Sequence, residues 1–353
     1  MDLYEDLLRG LLFRVPADTA HELAKVALRR PVLARALRGD PPDTRRLETN
    51  LGGLSIRSPI GLAPGFDKSG DLVPGLARLG FGYVTVGSIT TQPRAGNPRP
   101  RLHRYPDRES VANCMGMPNA GLDEANRLLR RPRQPGTRVI AAVAGFSVEE
   151  LLAAAAAIEP HVDAVEIGLV CRHTPETFEM AELPTFVAIA EGMARQKTKP
   201  AFAKLPPHHS PAELARTLSM VDVCLTGGFD GVSLSGTRQI VEPKLSMGQG
   251  GLAGRATTDD AVRILADVAR RADGRIAIKA AGGVFDGAGA YRFLELGATA
   301  VEVYSAFIYR GWNVAGKIAR ELLAELDRRD LATVRDVPVA RAAAGDVPVP
   351  ASA

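Results

Sequence analysis

A chain of 353 residues, 46% hydrophobic and 24% charged, has the make-up of an ordinary globular protein, which excludes a disordered or fibrous class. Its formal surplus of four positive charges is small, and Lys and Arg are spread along the chain without a basic run interleaved with aromatics, so nothing points to nucleic acid. Cys114, Cys171 and Cys224 lie far apart with no CxxC spacing, which argues against a disulfide framework or a zinc site and fits a reducing cytoplasm.

Residues 1–44 read as a unit of their own. Leu3, Leu7, Leu8, Leu11 and Leu12 recur at helical spacing, and after Pro16 a second amphipathic pattern runs through Ala20, Leu23, Ala24, Ala27 and Leu28. Such a pair either packs on its own domain or serves as a membrane foot or hydrophobic funnel. The opening MDLYEDLLRGLLFRVP lacks the basic start and small-residue cleavage site of a signal peptide, and no stretch reaches the roughly 18 apolar residues of a membrane span.

From about Leu54 short apolar strands alternate with helical segments. Eight strand cores are predicted: Ile60 to Leu62, Tyr83 to Val86, Val139 to Val143, Ala164 to Ile167, Ala201 to Lys204, Gly231 to Leu234, Ile276 to Ala280, and Ala300 to Tyr304. Helices are expected between them, among them Val148 to Ile158, Thr258 to Arg271 and Val314 to Leu326. Eight βα units predict an α/β TIM (β/α)8 barrel over 45–330, and the Ala- and Val-rich 331–353 is expected to be a disordered tail.

In such a barrel, chemistry gathers just past the C-terminal ends of the strands. There the sequence puts GLAPGFDKSG with Lys68, GSITTQPRAGNPRPR with Ser88, Gly145 and Ser147, then Cys171 and His173, Lys204, Ser235-Gly236-Thr237, Gly282-Gly283, and Tyr304-Ser305. The Gly282-Gly283 pair alone is most often a turn. Together with Tyr304-Ser305 and with Gly250-Gly251-Leu252-Ala253-Gly254, it favours a phosphate-bearing cofactor held on backbone N–H groups. Lysine is a surface residue by default. Lys204, however, ends an apolar strand, and Lys68 follows a Gly/Pro-rich loop; a lysine near a flavin ring would stabilise the charge of its reduced form. Cys171 has an inert reading as a thiol at a core edge, and His173 as a hydrogen-bonded loop histidine. In an extended loop, residues two apart point the same way, so both could face one pocket and supply a general base. His208 and His209 lack metal-ligand spacing and read as loop.

These motifs closely resemble the flavin-dependent dihydroorotate dehydrogenases, specifically the membrane-associated, quinone-reducing class 2. The likeness runs from LLFRVPADTAHELA through GLAPGFDKSG, LGFGYVTVGSITTQPRAGNPRPRLHRYP, NCMGMPNAGLD, GGLAGRA and AAGGVF to VEVYSAFIYRG. The resemblance implies FMN at the barrel mouth. Gly254, Gly282, Gly283, Tyr304 and Ser305 would hold its phosphate, and Lys204, Lys68, Ser88 and Ser235 would complete the cofactor site. It also implies a quinone tunnel under the N-terminal helices with His21, Arg104 and Tyr304, and a peripheral place at the inner face of the cell membrane.

The substrate side departs from the family pattern. After strand four the family reads Asn, apolar, Ser, Ser, Pro, Asn, Thr; this chain has Gly168, Leu169, Val170, Cys171, Arg172, His173, Thr174. Cys171 stands in the place of the class 2 serine base and is the residue type that class 1 members use. Gly236 replaces the asparagine after strand six, and Val143 matches the one after strand three. Lys68, Asn113, Met115, Gly116 and Met117, which in the family hold the orotate carboxylate, are retained, and Thr237 is assigned to the substrate with them. Each lost amide costs about 1 to 3 kcal/mol of recognition. The sequence therefore predicts an FMN oxidoreductase acting on a C–C bond beside a carbonyl in a small carboxylate other than dihydroorotate, with Cys171 or His173 as base. Genuine dihydroorotate:quinone activity and a non-catalytic flavin-binding protein are its alternatives.

Overall fold

The computed structural model describes residues 4–30, 32, 42–132, 136–169 and 179–340. Helices α1 (Arg9–Leu12) and α2 (Ala17–Leu28) follow a π-helical turn at Tyr4–Leu8, and Pro16 ends the link between them where its missing N–H costs nothing. The strands are β1 (Thr49–Leu51), β2 (Leu54–Ile56), β3 (Ile60–Leu62), β4 (Tyr83–Ile89), β5 (Leu102–Tyr105), β6 (Ser110–Asn113) and β7 (Arg138–Ala144). They continue with β8 (Ala164–Gly168), β9 (Ala201–Lys204), β10 (Gly231–Ser235), β11 (Arg238–Val241), β12 (Gln249–Gly254), β13 (Ala277–Ala281) and β14 (Ala300–Val303).

Eight of these close into a parallel barrel in the order β3-β4-β7-β8-β9-β10-β13-β14. They coincide with the eight predicted cores to within a residue or two at most ends; β4 extends to Ile89. Strands covered on both faces read as continuous apolar runs, as RVIAAVA does in β7. The intervening helices start where the sequence supplies caps: Ser147, Ser210 and Asp286 side chains accept from the backbone N–H of Glu150, Glu213 and Gly289.

Two excursions from the barrel were not predicted as strands. β5 and β6 lie between β4 and β7, β11 and β12 between β10 and β13, and the four join as an antiparallel sheet in the order β11-β12-β6-β5. The GGLAG segment is therefore strand β12 rather than a loop, and of it Gly251, Ala253 and Gly254 reach the wall of the cavity at the barrel mouth. A side chain at Gly250 would lie 2.5 Å from the Asn113 carbonyl, so glycine is there for close strand approach. Helix α2 leans on this sheet, with the Arg101 backbone N–H donating to Asp18 Oδ2 at 2.9 Å.

The barrel interior is stacked in layers. Its lower end holds Tyr83, Ile140, Ala164, Phe202 and Ala300, closed by Leu51, Leu54 and Ile56 of the β1–β2 hairpin. Above lies a polar layer of Thr85, Glu166, Ser233, Lys279 and Glu302, all buried. The expectation of disorder from 331 onward fails for residues 331–340. Val334 and Val337 are buried, Thr333 caps a 3-10 turn, and the Ala340 N–H donates to the Glu295 carbonyl at 2.7 Å. Two buried valines and a capped turn offset the entropy that the Ala- and Val-rich composition suggested would dominate. Residues 341–353 lie outside the described residues.

Candidate active site at the barrel mouth

A cavity of about 580 Å3 opens where the parallel strands end, a size suited to a cofactor or drug-sized ligand. Lys68, Ser88, Lys204, Ser235, Thr237, Gly254, Gly282, Gly283, Tyr304 and Ser305 all line it, as do Asn113, Met115, Gly116 and Met117. The sequence-predicted cofactor and substrate residues are thus brought together. Cys171 and His173 lie outside the described residues.

Gly282 and Gly283 have φ of 133° and 75°, and a Cβ on Gly283 would come within 1.9 Å of Thr258 Oγ1. Only glycine turns the chain here while keeping its backbone at the cavity wall. Lys204 extends from the end of β9, and its amine has no hydrogen-bond partner among the described residues. A glycine-lined wall beside an unspent ammonium is a donor set suited to a phosphate-bearing, electron-rich ring system, so the residues present fit FMN.

The substrate wall is different. Asn113 lines the cavity at the end of β6 and donates through Nδ2 to the Gly251 carbonyl at 3.3 Å. Gly236 packs so tightly that a Cβ would sit 2.7 Å from Ala261 Cβ, Ala261 N and the Thr257 carbonyl. Val143 is fully buried and does not line the cavity. His209, read as loop, has its Nε2 3.1 Å from the Thr237 carbonyl, while buried His208 pairs with Asp267 at 3.2 Å.

Lys68 is common to this cavity and to a second one of about 780 Å3 beneath α2, whose wall includes His21, Lys25, Arg94 and Arg101. Lys68 Nζ donates to the Gly65 carbonyl at 2.7 Å and lies 3.2 Å from His21 Nε2. Burial and then the nearby cations Lys25 and Arg101 lower its pKa to about 8. Burial and Lys68 hold His21 down to about 3, so its ring is neutral and Nε2 accepts from the ammonium. From His21 an edge-to-face chain of rings runs through Phe66, at 5.3 Å, to Tyr304 at 6.0 Å. Burial raises the Tyr304 phenol to about 12.

Arg104 does not join this row. Its guanidinium donates to the carbonyls of Leu12, at 3.0 Å, and of Val15, and covers the Phe13 ring at 4.6 Å, so it fastens the link between α1 and α2 to β5. It lines neither cavity.

The family model for dihydroorotate dehydrogenase matches residues 46–326. The chain belongs to the dihydroorotate dehydrogenase family. Members of this family are flavin-dependent oxidoreductases acting on a CH–CH bond. Among curated relatives, the dihydroorotate dehydrogenase (quinone) of Methylococcus capsulatus is 32% identical over 344 residues, covering 91% of this chain and 99% of its own. That of Anaeromyxobacter dehalogenans is 33% identical over 350 residues, 93% of this chain and 94% of its own. A ligand-free dihydroorotate dehydrogenase structure from Eimeria tenella superposes with a TM-score of 0.78 at 26% identity, covering 92% of this chain and 98% of that one.

The dehydrogenase-family barrel also contains polar residues that the sequence reading passed over. Lys279 Nζ lies 2.8 Å from Glu166 and 3.0 Å from Glu302. Ser233 donates to Glu166 at 2.6 Å and Thr85 to Glu302 at 2.8 Å. The available signal was one charge in the middle of each otherwise apolar strand: AVEIG, AIKAA and AVEV.

Proposed function

We propose that this protein is an FMN-dependent oxidoreductase that removes hydrogen across a CH–CH bond beside a carbonyl in a small carboxylate other than dihydroorotate. The observation that carries this reading is Gly236: the position that would present an amide to a pyrimidine is sealed against Ala261 and Thr257. Lys68 and Asn113 remain at the cavity to hold a carboxylate, with Met115, Gly116 and Met117 beside them. Bound FMN would supply the two-electron acceptor for hydride. The substrate then loses one hydride and one proton, and the proton goes to the loop base, Cys171 or His173. Lys204 would steady charge beside the ring, and backbone around Gly254, Gly282, Gly283 and Ser305 would grip the phosphate.

The electrons go to a quinone by way of the His21–Phe66–Tyr304 side of the cavity. Leu7, Leu11, Leu23 and Val26 of the helical extension are more than half exposed, which suits peripheral contact with a lipid surface where a quinone dissolves. In the opposite direction the same half-reactions make it a reductase.

Dihydroorotate itself is the second reading, favoured by curated relatives named for that activity along nearly the whole chain. The test is anaerobic bleaching of the purified yellow protein by dihydroorotate and by a panel of other small carboxylates, followed by reoxidation with a quinone. Ordinary turnover with dihydroorotate sinks the leading substrate assignment, and colourless protein that takes up no added FMN sinks both. Cys171→Ser and His173→Ala, measured separately, assign the base by loss of bleaching with colour retained.

A further inference from the structure

The polar layer inside the barrel lies one layer below the mouth. Glu166, Lys279 and Glu302 project inward from β8, β13 and β14, and the rings of Tyr83 and Phe202 lie beneath Lys279, 5.6 and 5.3 Å from its Nζ. Glu302 is buried yet contributes to the cavity wall. Two carboxylates share one ammonium, so the formal charge of the set is one negative. Glu166 keeps one oxygen, Oε1, buried without a hydrogen-bond partner. All three charged side chains are buried, and hydroxyls from Thr85 and Ser233 fix both carboxylates in place. The positions alternate in the strands as core positions do, so an apolar filling was available at each of them.

We propose that the Glu166–Lys279–Glu302 network is an electrostatic element of the cofactor site, a fixed negative charge at the floor of the cavity that would hold down the reduction potential of a flavin bound there. The inference rests on the FMN reading above. Reduction adds negative charge to the ring, and a fixed carboxylate below opposes that change at low dielectric, while Lys204 at the mouth favours it. Glu302 reaches the cavity wall, while Glu166 and Lys279 do not line the cavity and are positioning residues that act through Glu302 and through their charge. The pKa directions agree. Burial pushes Glu166 up but Lys279 and then Lys204 hold it below the usual carboxylate range; burial lowers Lys279 but the two glutamates raise it above the usual lysine range.

The test is the midpoint potential of bound FMN in the wild type, in Glu302→Gln, in Glu166→Gln and in the double variant Glu166→Gln/Lys279→Met. Each single change removes one negative charge with little change of shape. The expected result is reduced FMN favoured over oxidised FMN by about tenfold relative to the wild type, or about 30 mV upward for a two-electron couple. The double variant restores the wild-type formal charge and should return near the wild-type potential. Equal potentials in all four overturn the inference alone, as does a double variant shifted as far as the single ones. Loss of FMN from all three variants replaces it with a purely structural role. A wild-type protein that takes up no FMN removes the flavin reading and this inference with it.

Discussion

Gly236 and Lys68 mark two kinds of residue-scale change. At Gly236 the missing side chain is locked in by its neighbours, because a Cβ would overlap Ala261 and Thr257 at 2.7 Å. Gly236→Asn alone should therefore not install dihydroorotate recognition. It should cost about 1 to 3 kcal/mol by overpacking and lower FMN retention, readable by urea unfolding and flavin absorbance. A stable Gly236→Asn protein with improved dihydroorotate bleaching would contradict this packing argument. At Lys68 the ammonium must be present to hold a carboxylate, and its pKa of about 8 in the folded protein lies below the usual 10.5. Carboxylate affinity should accordingly fall as pH rises past about 8, and Lys68→Met should flatten the profile as well as weaken binding. The stability sign is opposite. The unfolded chain binds the extra proton between about pH 8 and 10.5, so this group's penalty is fully present below pH 8 and is relieved across that window. Titrating the dissociation constant of an inert carboxylate analogue checks it, and a wild-type profile flat to pH 10 removes Lys68 from the binding role.

Elements carry the clearest contrast between what sequence reading reaches and what it does not. The eight barrel strands were legible because burial on both faces leaves a mostly apolar run, interrupted by a single inward charge in β8, β13 and β14. β11, whose residues are exposed or half-buried, and β12, whose glycines permit close pairing, have no such run, and the sheet above the mouth was missed for that reason. Most residues that line the mouth were legible for a related reason, since position after a strand end places them there without side-chain geometry, whereas Asn113, Met115, Gly116 and Met117 were reached only through the family resemblance. What each contacts was not legible: Arg104 was expected in the quinone tunnel, but it spends its donors on the Leu12 and Val15 carbonyls. That fastening predicts an element-level effect. Arg104→Ala should leave backbone carbonyls unpaired, at about 1 to 3 kcal/mol, and loosen α1 and α2 from β5. If the extension guides the quinone, the ratio of turnover with a lipophilic quinone to turnover with ferricyanide should fall while FMN content holds. Equal loss with both acceptors would mean that the extension supports the barrel alone.

At the scale of the whole molecule, the ends of the barrel sequence are tied together behind the site. Arg46, ahead of the β1–β2 hairpin, donates to the carbonyls of Leu331 and Ala332 at 2.8 Å and pairs with Asp327 at 2.7 Å. Arg335 returns the contact by donating to the Glu48 carbonyl at 2.9 Å, and Ala340 reaches Glu295. The strap joins the chain entering the barrel ahead of β3 to the helix Val314–Arg328 and the segment after it, downstream of β14, and β3 and β14 pair in parallel to close the ring. The exposed ion pairs in it contribute little by themselves. Burial of Val334 and Val337 is worth at most about 1.5 to 3 kcal/mol each, and that is the larger share. A chain ending at Asp330 should thus be less stable by roughly 3 to 5 kcal/mol than one ending at Ala340. The measurement is the urea midpoint of each at equal protein concentration. FMN at a hundredfold over its dissociation constant should raise the stability of both forms by about 2.7 kcal/mol if the mouth is intact in each. The strap lies at the end of the barrel opposite the cofactor, so its loss should lower the midpoint without reducing that flavin-dependent gain. A gain that disappears in the shorter chain would show instead that closure at β3 and β14 is coupled across the barrel to the loops carrying Lys68 and Tyr304.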